Sequence, residues 1–590
     1  MGNTFEIKNK KIYINGKRTK IISGSVHYFR IHPCYWKDRL LKLKEMGCNC
    51  IETYVAMNLH EKEEGVFDFS GWLDVSSFLR LAQDFGLYVI LRPGPYICSE
   101  WDLGGLPYWI LKDKNIHLRT SDPLYLKKIT PFLIEVCKQV KNNLFSHGGN
   151  ILFWQIENEY GSYGSDKAYL EYLKNLFVEN GVDCEFISSD GDTAFLLQNG
   201  SCDGVMESVN YRYDSPRALK ALKAFNPSQP GAVLELWNGR GYRVGDKFIR
   251  RDLKEVAFSL KTALKGAEII NLYPAHGGTN FGLYNGALDL KEEFLIQPNS
   301  YDCDAPINEY GQRTKKYYVE QKIIHDYLNK PIENTCEDVL LTAFGKAKLV
   351  DSIGYSNFRD SLSKTISSPY LLSMEEVGQR GGVIVYSTTQ FIDKKGAILH
   401  FPIIHDVMHL YVDGKYVKTF YRDEKNPEYF LRKHGNVELC FVLESLGHIN
   451  YGFNLKDYKG LVGDIVLEDL NYKVKAIMMN YRISSISFDA LPLSFDGSWR
   501  LHEPVFYKYE IDVDEPKDTI LHLKGFTRGL AFINGFNLGR HFDAKYSQNK
   551  LYIPYPLLKK GKNEILVFDI LMNKKEKLVE LTNQGLKEQK

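Results

Sequence analysis

The sequence predicts an N-terminal (β/α)₈ barrel followed by all-β modules of the sandwich or jelly-roll type. The first observation is that short apolar runs alternate with amphipathic helical stretches over the first 330 residues, as in a parallel sheet. The second is that no G-x-G-x-x-G sequence follows the first apolar run, which disfavours an open doubly wound sheet. The third is that strand-like alternation takes over after about residue 331.

Eight apolar runs supply the expected barrel strands, because strands of a parallel sheet are buried on both faces. They cover residues 21–26, 50–55, 87–91, 151–156, 186–189, 204–208, 232–236 and 267–272. Helical segments between them include residues 36–46, 73–85, 123–143, 167–180 and 251–264. Eight strand-plus-helix units match the number that closes a (β/α)₈ barrel.

The pattern along the chain divides it into five expected regions. They are a catalytic barrel over 1–330, a linking segment with the first β strands over 331–395, a β-sandwich module over 396–490, a jelly roll over 491–575, and a solvated tail over 576–590. Turn sequences such as Asp413-Gly414 and Asn534-Gly535 separate the strands of the second half.

The composition is that of an ordinary globular protein, with 44% hydrophobic and 25% charged residues. Because the formal charge is only +2, we expect neither nucleic acid nor an anionic membrane as a partner. The chain shows no apolar signal-peptide region and no run of about 20 apolar residues that would span a membrane. Ten scattered cysteines without a C-x-x-C pair are typical of free thiols, so the expected location is cytoplasmic.

Carboxylates dominate the residues that follow the apolar runs, where the active-site groups of a barrel lie. Glu100 follows the third run, Glu157 and Glu159 follow the fourth, and Glu235 lies at the seventh. Hydrolysis of a glycosidic bond requires two carboxyl groups that flank the bond, one protonated and one ionised. Because the fourth and seventh strands face each other across a barrel mouth, their Glu residues are placed to meet over one sugar.

The Asn158-Glu159 dipeptide suits the acid side of such a site. Asn158 can hold a sugar hydroxyl beside the reacting bond while Glu159 reaches the glycosidic oxygen, and Glu157 is the alternative acid. Burial and neighbouring carboxylates would raise the pKa of the acid. His27 and His60 have no third ligand at a suitable spacing, so we favour structural roles over a metal site.

Five segments carry a resemblance to a known family. They are GSVHYFR (24–30), CSEWDLGGLP (98–107), GGNILFWQIENEY (148–160), SYDCDAP (300–306) and FINGFNLGR (532–540). In these segments the sequence resembles glycoside hydrolase family 35, the β-galactosidases. The likeness is weaker over 185–265, and Asn150 stands where Pro is usual.

The resemblance implies a retaining enzyme that releases terminal β-linked galactose in two steps without a metal or organic cofactor. Glu159 would be the acid/base and Glu235 the nucleophile. The segment LELWNGRG (234–241) departs from the family pattern, so Glu207 stays open as the alternative nucleophile.

The resemblance also implies a set of substrate-binding residues: Tyr54, Ser99, Glu100, Asn158, Tyr273 and Trp237. Among them, Asn158 would bind the hydroxyl next to the anomeric carbon, Glu100 the far hydroxyls of the ring, and Tyr273 would steady the nucleophile. Met57 and Cys303 stand where relatives carry other side chains, which leaves the sugar and linkage preference open.

Two alternative functions follow from the same residues. One is an exo-β-glucosaminidase or another β-glycosidase on the same barrel, and the other is a non-catalytic carbohydrate-binding protein. The expected partner is a β-galactoside oligosaccharide. The β modules look like galactose-binding-type sandwiches, for which we favour scaffolding, including homodimer contacts, over sugar binding.

Overall fold

A closed ring of parallel strands forms the first half of the molecule. The computed structural model describes residues 3–239, 241–290, 293–489, 491–543, 548–573 and 575–586. The ring consists of β1 Ile21–Ser25, β2 Cys50–Tyr54, β3 Tyr88–Arg92, β4 Ile151–Gln155, β5 in two segments Glu185–Ile187 and Asp190–Gly191, β6 Val209–Tyr211, β7 Ala232–Trp237 and β8 Ile269–Tyr273. Parallel pairing of β8 with β1 closes the ring, which confirms the predicted barrel. An antiparallel N-terminal sheet precedes it, with strands Phe5–Lys8, Lys11–Ile14 and Lys17–Arg18.

Helices alternate with the strands along the chain. They are α1 Trp36–Met46, α2 Met57–His60, α3 Val75–Asp84, α4 Pro123–Val140, α5 Lys167–Glu179, α6 Ala194–Gly200, α7 Ser215–Phe225, α8 Leu253–Gly266 and α9 Lys315–Leu328. The short α2 is buried against the loop after β3. Several begin at an Asp whose side chain accepts from a backbone N–H of the first turn, as Asp166 does from Tyr169. Such caps explain why these helices begin close to their predicted starts.

The sixth strand lies later in the chain than predicted. Residues 204–208 were expected to form it, but β6 is Val209–Tyr211. Gly204 has a φ of +73°, which belongs to a turn, and the backbone of Glu207 bonds to the side chain of Gln229 at both its N–H and its carbonyl. Met206 still pairs in parallel with Ile187 of β5, but the Gln229 side chain takes the backbone hydrogen bonds of Glu207, so the continuous strand begins only at Val209.

The middle module is a sandwich with one apolar core between two sheets. One sheet contains Ser363–Ser368, Tyr481–Ile486, Val383–Ile392, Gly435–Glu444, Val407–Val412 and Lys415–Tyr421, and the other contains Glu428–Leu431, Ala397–His400, Val466–Asp469 and Val474–Ile477. A two-stranded sheet of Ile403–His405 and Gly460–Val462 accompanies them. Asp413 and Gly414 turn the chain between two antiparallel strands, as predicted.

The last module also has two sheets around its own core. One contains Lys348–Gly354, Val505–Val513, Gly561–Asp569, Arg528–Ile533 and Phe536–Phe542, and the other contains Gly345–Lys346, Leu578–Thr582, Thr519–Lys524 and Lys550–Ile553. Helix α10, Tyr355–Leu362, follows the first of these strands along the chain. Part of the expected linking segment thus belongs to this module.

The expected solvated tail over 576–590 is wrong for its described part. Leu578–Thr582 forms a strand that pairs with Thr519–Lys524, and Val579 and Leu581 are buried in the module's core. Residues 587–590 lie outside the described residues.

The middle module contacts the barrel beside its mouth. Its strand Ile449–Tyr451 pairs in parallel with Ala287–Leu290, which belongs to the segment after β8 and itself pairs with Glu293–Ile296. All ten cysteines fall within the described residues and are free thiols. Over that part of the chain, no helix is both long and apolar enough to cross a membrane.

Candidate active site

Glu235 lies on β7 and is held by donors from three directions. Arg92 Nη2 donates to its Oε1 at 2.7 Å, and the Tyr54 hydroxyl lies 3.2 Å from the same oxygen. Trp237 Nε1 donates to its Oε2 at 2.8 Å. With a residue exposure of only 5%, this carboxyl is fixed in one orientation by the guanidinium, the phenol and the indole around it.

Arg92, at the end of β3, links several of the buried groups. Besides Glu235 it contacts Asn158 Oδ1 at 2.5 Å and Glu52 Oε1 at 3.6 Å. Burial alone would lower the pKa of Arg92, but Tyr54, Glu52 and Glu235 raise it above its usual value. The guanidinium therefore stays charged and supplies a positive charge beside Glu235.

Glu52 and His27 form a second buried pair beneath Arg92. Burial would raise the pKa of Glu52, but Arg92 and His27 hold it below its usual value. Burial lowers the pKa of His27 to about 4, so its ring is neutral near pH 7. His60 bonds to the Tyr28 hydroxyl at 2.5 Å and to the carbonyl of Asp68, so both histidines have structural partners.

Glu159 follows β4 in a left-handed conformation, with a φ of +45°. Its backbone N–H donates to the Ser189 carbonyl at 2.9 Å, and its Oε1 accepts from Asn210 Nδ2 at 3.1 Å. Burial raises the pKa of this carboxyl well above the ordinary range, and the charges of Glu235 and Asp190 raise it further. Glu159 is therefore suited to carry a proton near neutral pH.

Asn158 presents its amide group toward the pocket. Its Oδ1 accepts from Arg92 at 2.5 Å and lies 3.0 Å from the Tyr54 hydroxyl. Its Nδ2 has no hydrogen-bond partner among the residues that the structure describes. The amide is thus oriented by its oxygen, and its N–H donors remain available to a sugar hydroxyl.

The alternative acid, Glu157, is occupied by other partners. Arg119 donates to its two oxygens at 3.0 and 2.8 Å, and the Tyr169 hydroxyl donates to it at 2.9 Å. The side chain is 1% exposed and points away from Glu159's partners into the packing between the barrel and α5. Glu157 is a structural ion pair, so the structure favours Glu159 over it.

The alternative nucleophile, Glu207, lies away from the pocket. It precedes β6, and its Oε2 accepts from Asn226 in the connection between α7 and β7. That connection is at the amino end of the strands, whereas Glu235 and Trp237 lie near the carboxyl end of β7. Between the two, the structure brings only Glu235 to the mouth.

Ser99 and Glu100 lie in the loop of residues 98–105, which follows β3. Arg30 Nη2 donates to the Ser99 carbonyl at 2.5 Å and to its Oγ at 3.0 Å. Burial raises the pKa of Glu100, while Arg30 and a hydrogen bond from Tyr301 act in the opposite direction. The Glu100 carboxyl thus comes close to Tyr301, and the charge of Glu235 raises the pKa of Glu100 further.

Tyr273 ends β8 and faces the same pocket. Its hydroxyl lies 2.9 Å from the Tyr301 hydroxyl and 3.4 Å from Ser99 Oγ. Among the described residues the phenol within hydrogen-bonding distance of Glu235 is Tyr54, while burial and the charge of Glu235 raise the pKa of Tyr273, so a role of Tyr273 in steadying Glu235 stays a prediction. Tyr273 instead joins the Ser99 side of the pocket.

Several groups of the site were not singled out from the sequence. They are Arg30, Glu52, Arg92, Asn210 and Tyr301, none of which was given a role in the chemistry. Arg92 and Asn210 lie at strand ends, so position in the barrel could have found them. Glu52 lies inside an apolar strand, where an unexplained charge is itself an indication of a buried partner.

Comparisons with known proteins agree with this site. A family model described as "Glycosyl hydrolases family 35" matches residues 11–327. Models described as "Beta-galactosidase, first all-beta domain" and "Beta-galactosidase, galactose-binding domain" match residues 371–483 and 504–563.

Relatives similar to this chain extend over nearly all of it. "Beta-galactosidase 17" of Arabidopsis thaliana is 35% identical and covers 96% of this chain and 87% of the relative. "Beta-galactosidase" of Bos taurus is 35% identical, over 96% of this chain and 90% of the relative. "Beta-galactosidase" of Homo sapiens is 34% identical, over 94% and 85%.

Proposed function

This chain belongs to glycosyl hydrolase family 35, and we propose that it is a retaining exo-β-galactosidase with Glu159 as acid/base and Glu235 as nucleophile. The observation that carries the proposal is the contrast between these two carboxyls. Glu235 accepts hydrogen bonds from the Arg92 guanidinium and the Trp237 indole, whereas burial raises the pKa of Glu159. A firmly oriented carboxyl and a second carboxyl that carries a proton are what the reaction needs.

In the first step, Glu159 donates its proton to the glycosidic oxygen as the bond to the anomeric carbon breaks. A Glu235 oxygen forms a bond to that carbon on the opposite face, and the aglycone leaves as an alcohol. In the second step, Glu159 takes a proton from water, which attacks the anomeric carbon and releases Glu235. Two inversions give net retention, for which a carboxyl separation of about 5–5.5 Å is typical.

The other groups of the pocket support these steps. Arg92 and Trp237 hold Glu235 at the attacking position. Because Glu235 is already oriented, the activation free energy does not include the entropy cost of orienting it. The Asn158 amide donates to the hydroxyl beside the anomeric carbon, an interaction that strengthens in the transition state. Glu100, Tyr301 and Ser99 surround the opposite end of the ring and select galactose.

A panel of p-nitrophenyl glycosides tests this function. We expect hydrolysis of the β-galactoside, with β-galactose as the first product in a proton NMR time course. A first product with α configuration would contradict the two-step mechanism. Faster cleavage of the β-glucosaminide would favour the glucosaminidase alternative, and galactose binding without turnover of any substrate would indicate a binding protein.

A further inference from the structure

The loop of residues 98–105 has a backbone that needs support from outside. Cys98, Ser99 and Glu100 are three successive residues with φ values of +54°, +59° and +48°, and Leu103 follows at +50°. Left-handed backbone is unfavourable for residues with a Cβ, and it persists only where surrounding contacts hold it. Ser99 and Glu100 are the two pocket residues that this loop carries.

The barrel supports one side of this loop. Arg30 donates to Ser99, and Asn280 Nδ2 donates to the Glu100 carbonyl at 2.9 Å. The backbone N–H of Gly286 donates to the same carbonyl at 3.2 Å. These contacts fix the backbone of Ser99 and Glu100 from the side of β1 and β8.

The middle module supports the other side through a buried histidine. The His448 backbone N–H donates to Asp102 Oδ1 at 2.7 Å, and its ring Nδ1 lies 2.9 Å from the same oxygen. On the far side, His448 Nε2 lies 2.8 Å from Glu375 Oε1, which also accepts from the backbone N–H of Lys459 at 3.0 Å. His448 and Glu375 are fully buried, and Asp102 is 2% exposed.

An imidazole between two carboxylates holds both only as a cation, because both ring nitrogens must donate. Burial would lower the pKa of His448, but Asp102 and Glu375 raise it to about 10. A charged hydrogen bond from His448 of the middle module therefore holds Asp102, which lies two positions after Glu100 in the loop of residues 98–105.

We propose that His448 is a positioning residue for the galactose pocket: by clamping Asp102, the middle module fixes the loop that presents Ser99 and Glu100. This inference rests on the proposed function for the role of Glu100 in binding the sugar. The middle module is then part of the active site, although the His448 side chain does not line the pocket.

The test begins with His448→Gln, in which one amide replaces two ring N–H donors and cannot donate to both carboxylates. The matched control is His409→Gln in the same module. His409 is also buried, but it bonds to Thr419 and has no contact with the loop. Asp102→Asn serves as a second variant if His448→Gln does not fold. It keeps the shape of the Asp102 side chain and removes its negative charge.

Hydrogen–deuterium exchange of the peptide that contains residues 98–105 gives a measurement without substrate. We expect faster exchange of this peptide in His448→Gln and Asp102→Asn than in His409→Gln. Equal exchange in all three variants would overturn the clamp. Glu375→Gln keeps an acceptor for Nε2 and should give an intermediate rate.

Kinetics with p-nitrophenyl β-galactoside then show whether the clamp acts through Glu100. We expect KM to rise by about 10- to 100-fold in His448→Gln, with a smaller change in kcat, because misplacement of binding groups by about 1 Å has effects of this size. In a Glu100→Gln background the same substitution should raise KM by less than about threefold, since the shared contact is already lost.

The outcomes separate this inference from the proposed function. A KM increase that persists undiminished beside Glu100→Gln would overturn the positioning role, as would a KM equal to that of His409→Gln. If the unmodified protein hydrolyses no glycoside of the panel, the proposed function fails, while the exchange comparison still decides whether His448 holds the loop.

Discussion

Glu235 and Glu159 come from different walls of the barrel and are held in opposite ways. Glu235 accepts from Arg92 and Trp237 and lies within reach of the Tyr54 hydroxyl. The only hydrogen bond to the Glu159 carboxyl among the described residues is that from Asn210. A nucleophile benefits from a fixed, ionised carboxylate, whereas an acid/base must exchange protons in each half of the reaction. The surroundings of each carboxyl, rather than its chemical type, are thus the basis for the roles that we propose.

Among the substitutions that test this comparison, removal of Glu235 should cause the largest loss of activity. We expect Glu235→Ala to lower kcat for p-nitrophenyl β-galactoside by about 10⁵-fold or more, because the covalent route is lost. Azide should restore part of the turnover by occupying the vacated space and attacking the anomeric carbon, which gives the α-galactosyl azide. The product configuration can be read from the anomeric coupling constant by NMR.

Glu207→Ala is the matched control, since Glu207 is 6% exposed against 5% for Glu235 and precedes the neighbouring strand at its other end. Activity in Glu235→Ala together with inactivity in Glu207→Ala would reverse the assignment. An unchanged β configuration of the azide product would place Glu235 on the acid side.

Removal of Glu159 should have a smaller effect that depends on the leaving group. General acid catalysis contributes about 10²–10⁴-fold, so Glu159→Ala should lose this factor with a phenyl or alkyl galactoside. A 2,4-dinitrophenyl galactoside needs little protonation, and its first step should change by less than about tenfold. Azide should here give the β-galactosyl azide, because it attacks the galactosyl-enzyme from the face that Glu159 vacates.

Glu157→Gln provides the control for this experiment. It weakens a buried ion pair with Arg119, so it should lower the thermal unfolding midpoint. Its activity should fall by a similar factor for all leaving groups. A steep dependence on the leaving group in Glu157→Gln, and none in Glu159→Ala, would make Glu157 the acid.

Tyr54→Phe should have a moderate effect on the side of Glu235. A hydrogen bond to a charged group contributes about 1.5–3 kcal/mol, so kcat/KM should fall by about 10- to 100-fold. Tyr273→Phe should leave Glu235 in place, because the Tyr273 hydroxyl bonds to Tyr301 and Ser99 instead. Its loss should appear mainly in KM, and a larger loss of kcat in Tyr273→Phe than in Tyr54→Phe would contradict this division.

The barrel could be predicted from the sequence because strands buried on both faces are continuous apolar runs between helices. The turns at Asp413-Gly414 and Asn534-Gly535 could be predicted because local residue chemistry decides them. The strand Leu578–Thr582 could not, since its pairing with Thr519–Lys524 depends on residues far away in the chain. Likewise Asp102 and His448 are separated by 346 residues, and no local sequence pattern predicts their contact.

Position at a strand end identified the candidate carboxyls of the site. It did not decide which of them is the acid and which is the nucleophile. Glu157 and Glu159 are two residues apart, and only the partners of their side chains distinguish an ion pair from an acid. Glu207 and Glu235 both lie near the ends of predicted strands, but Glu207 precedes β6 whereas Glu235 lies near the carboxyl end of β7. These distinctions depend on packing geometry, which the order of residues does not specify by itself.

The smallest expected effect is a pair of opposite shifts in the pH profile. The acid Glu159 must be protonated for the first step, so kcat/KM should fall as pH rises through the pKa of Glu159 in the free enzyme. The Asn210 N–H stabilises the carboxylate form and lowers this pKa, whereas the charge of Asp190 raises it. Asn210→Ala should therefore move the alkaline limb to higher pH, and Asp190→Asn should move it to lower pH.

Burial raises the pKa of Asp190 to about 7, so this group carries most of its charge where the alkaline limb is measured. The Asn side chain in Asp190→Asn can still accept from the Gly161 N–H, which bonds to Asp190 Oδ1 at 2.8 Å, so the loop after Glu159 keeps its support. Asp192→Asn is the control, because Asp192 pairs with Arg217 at the surface and should leave the limb unchanged. Two shifts in the same direction, or none, would show that the limb does not report Glu159. Opposite shifts would mean that Asn210 and Asp190 tune the proton affinity of Glu159, in contrast to Glu235, whose orientation is fixed by direct hydrogen bonds.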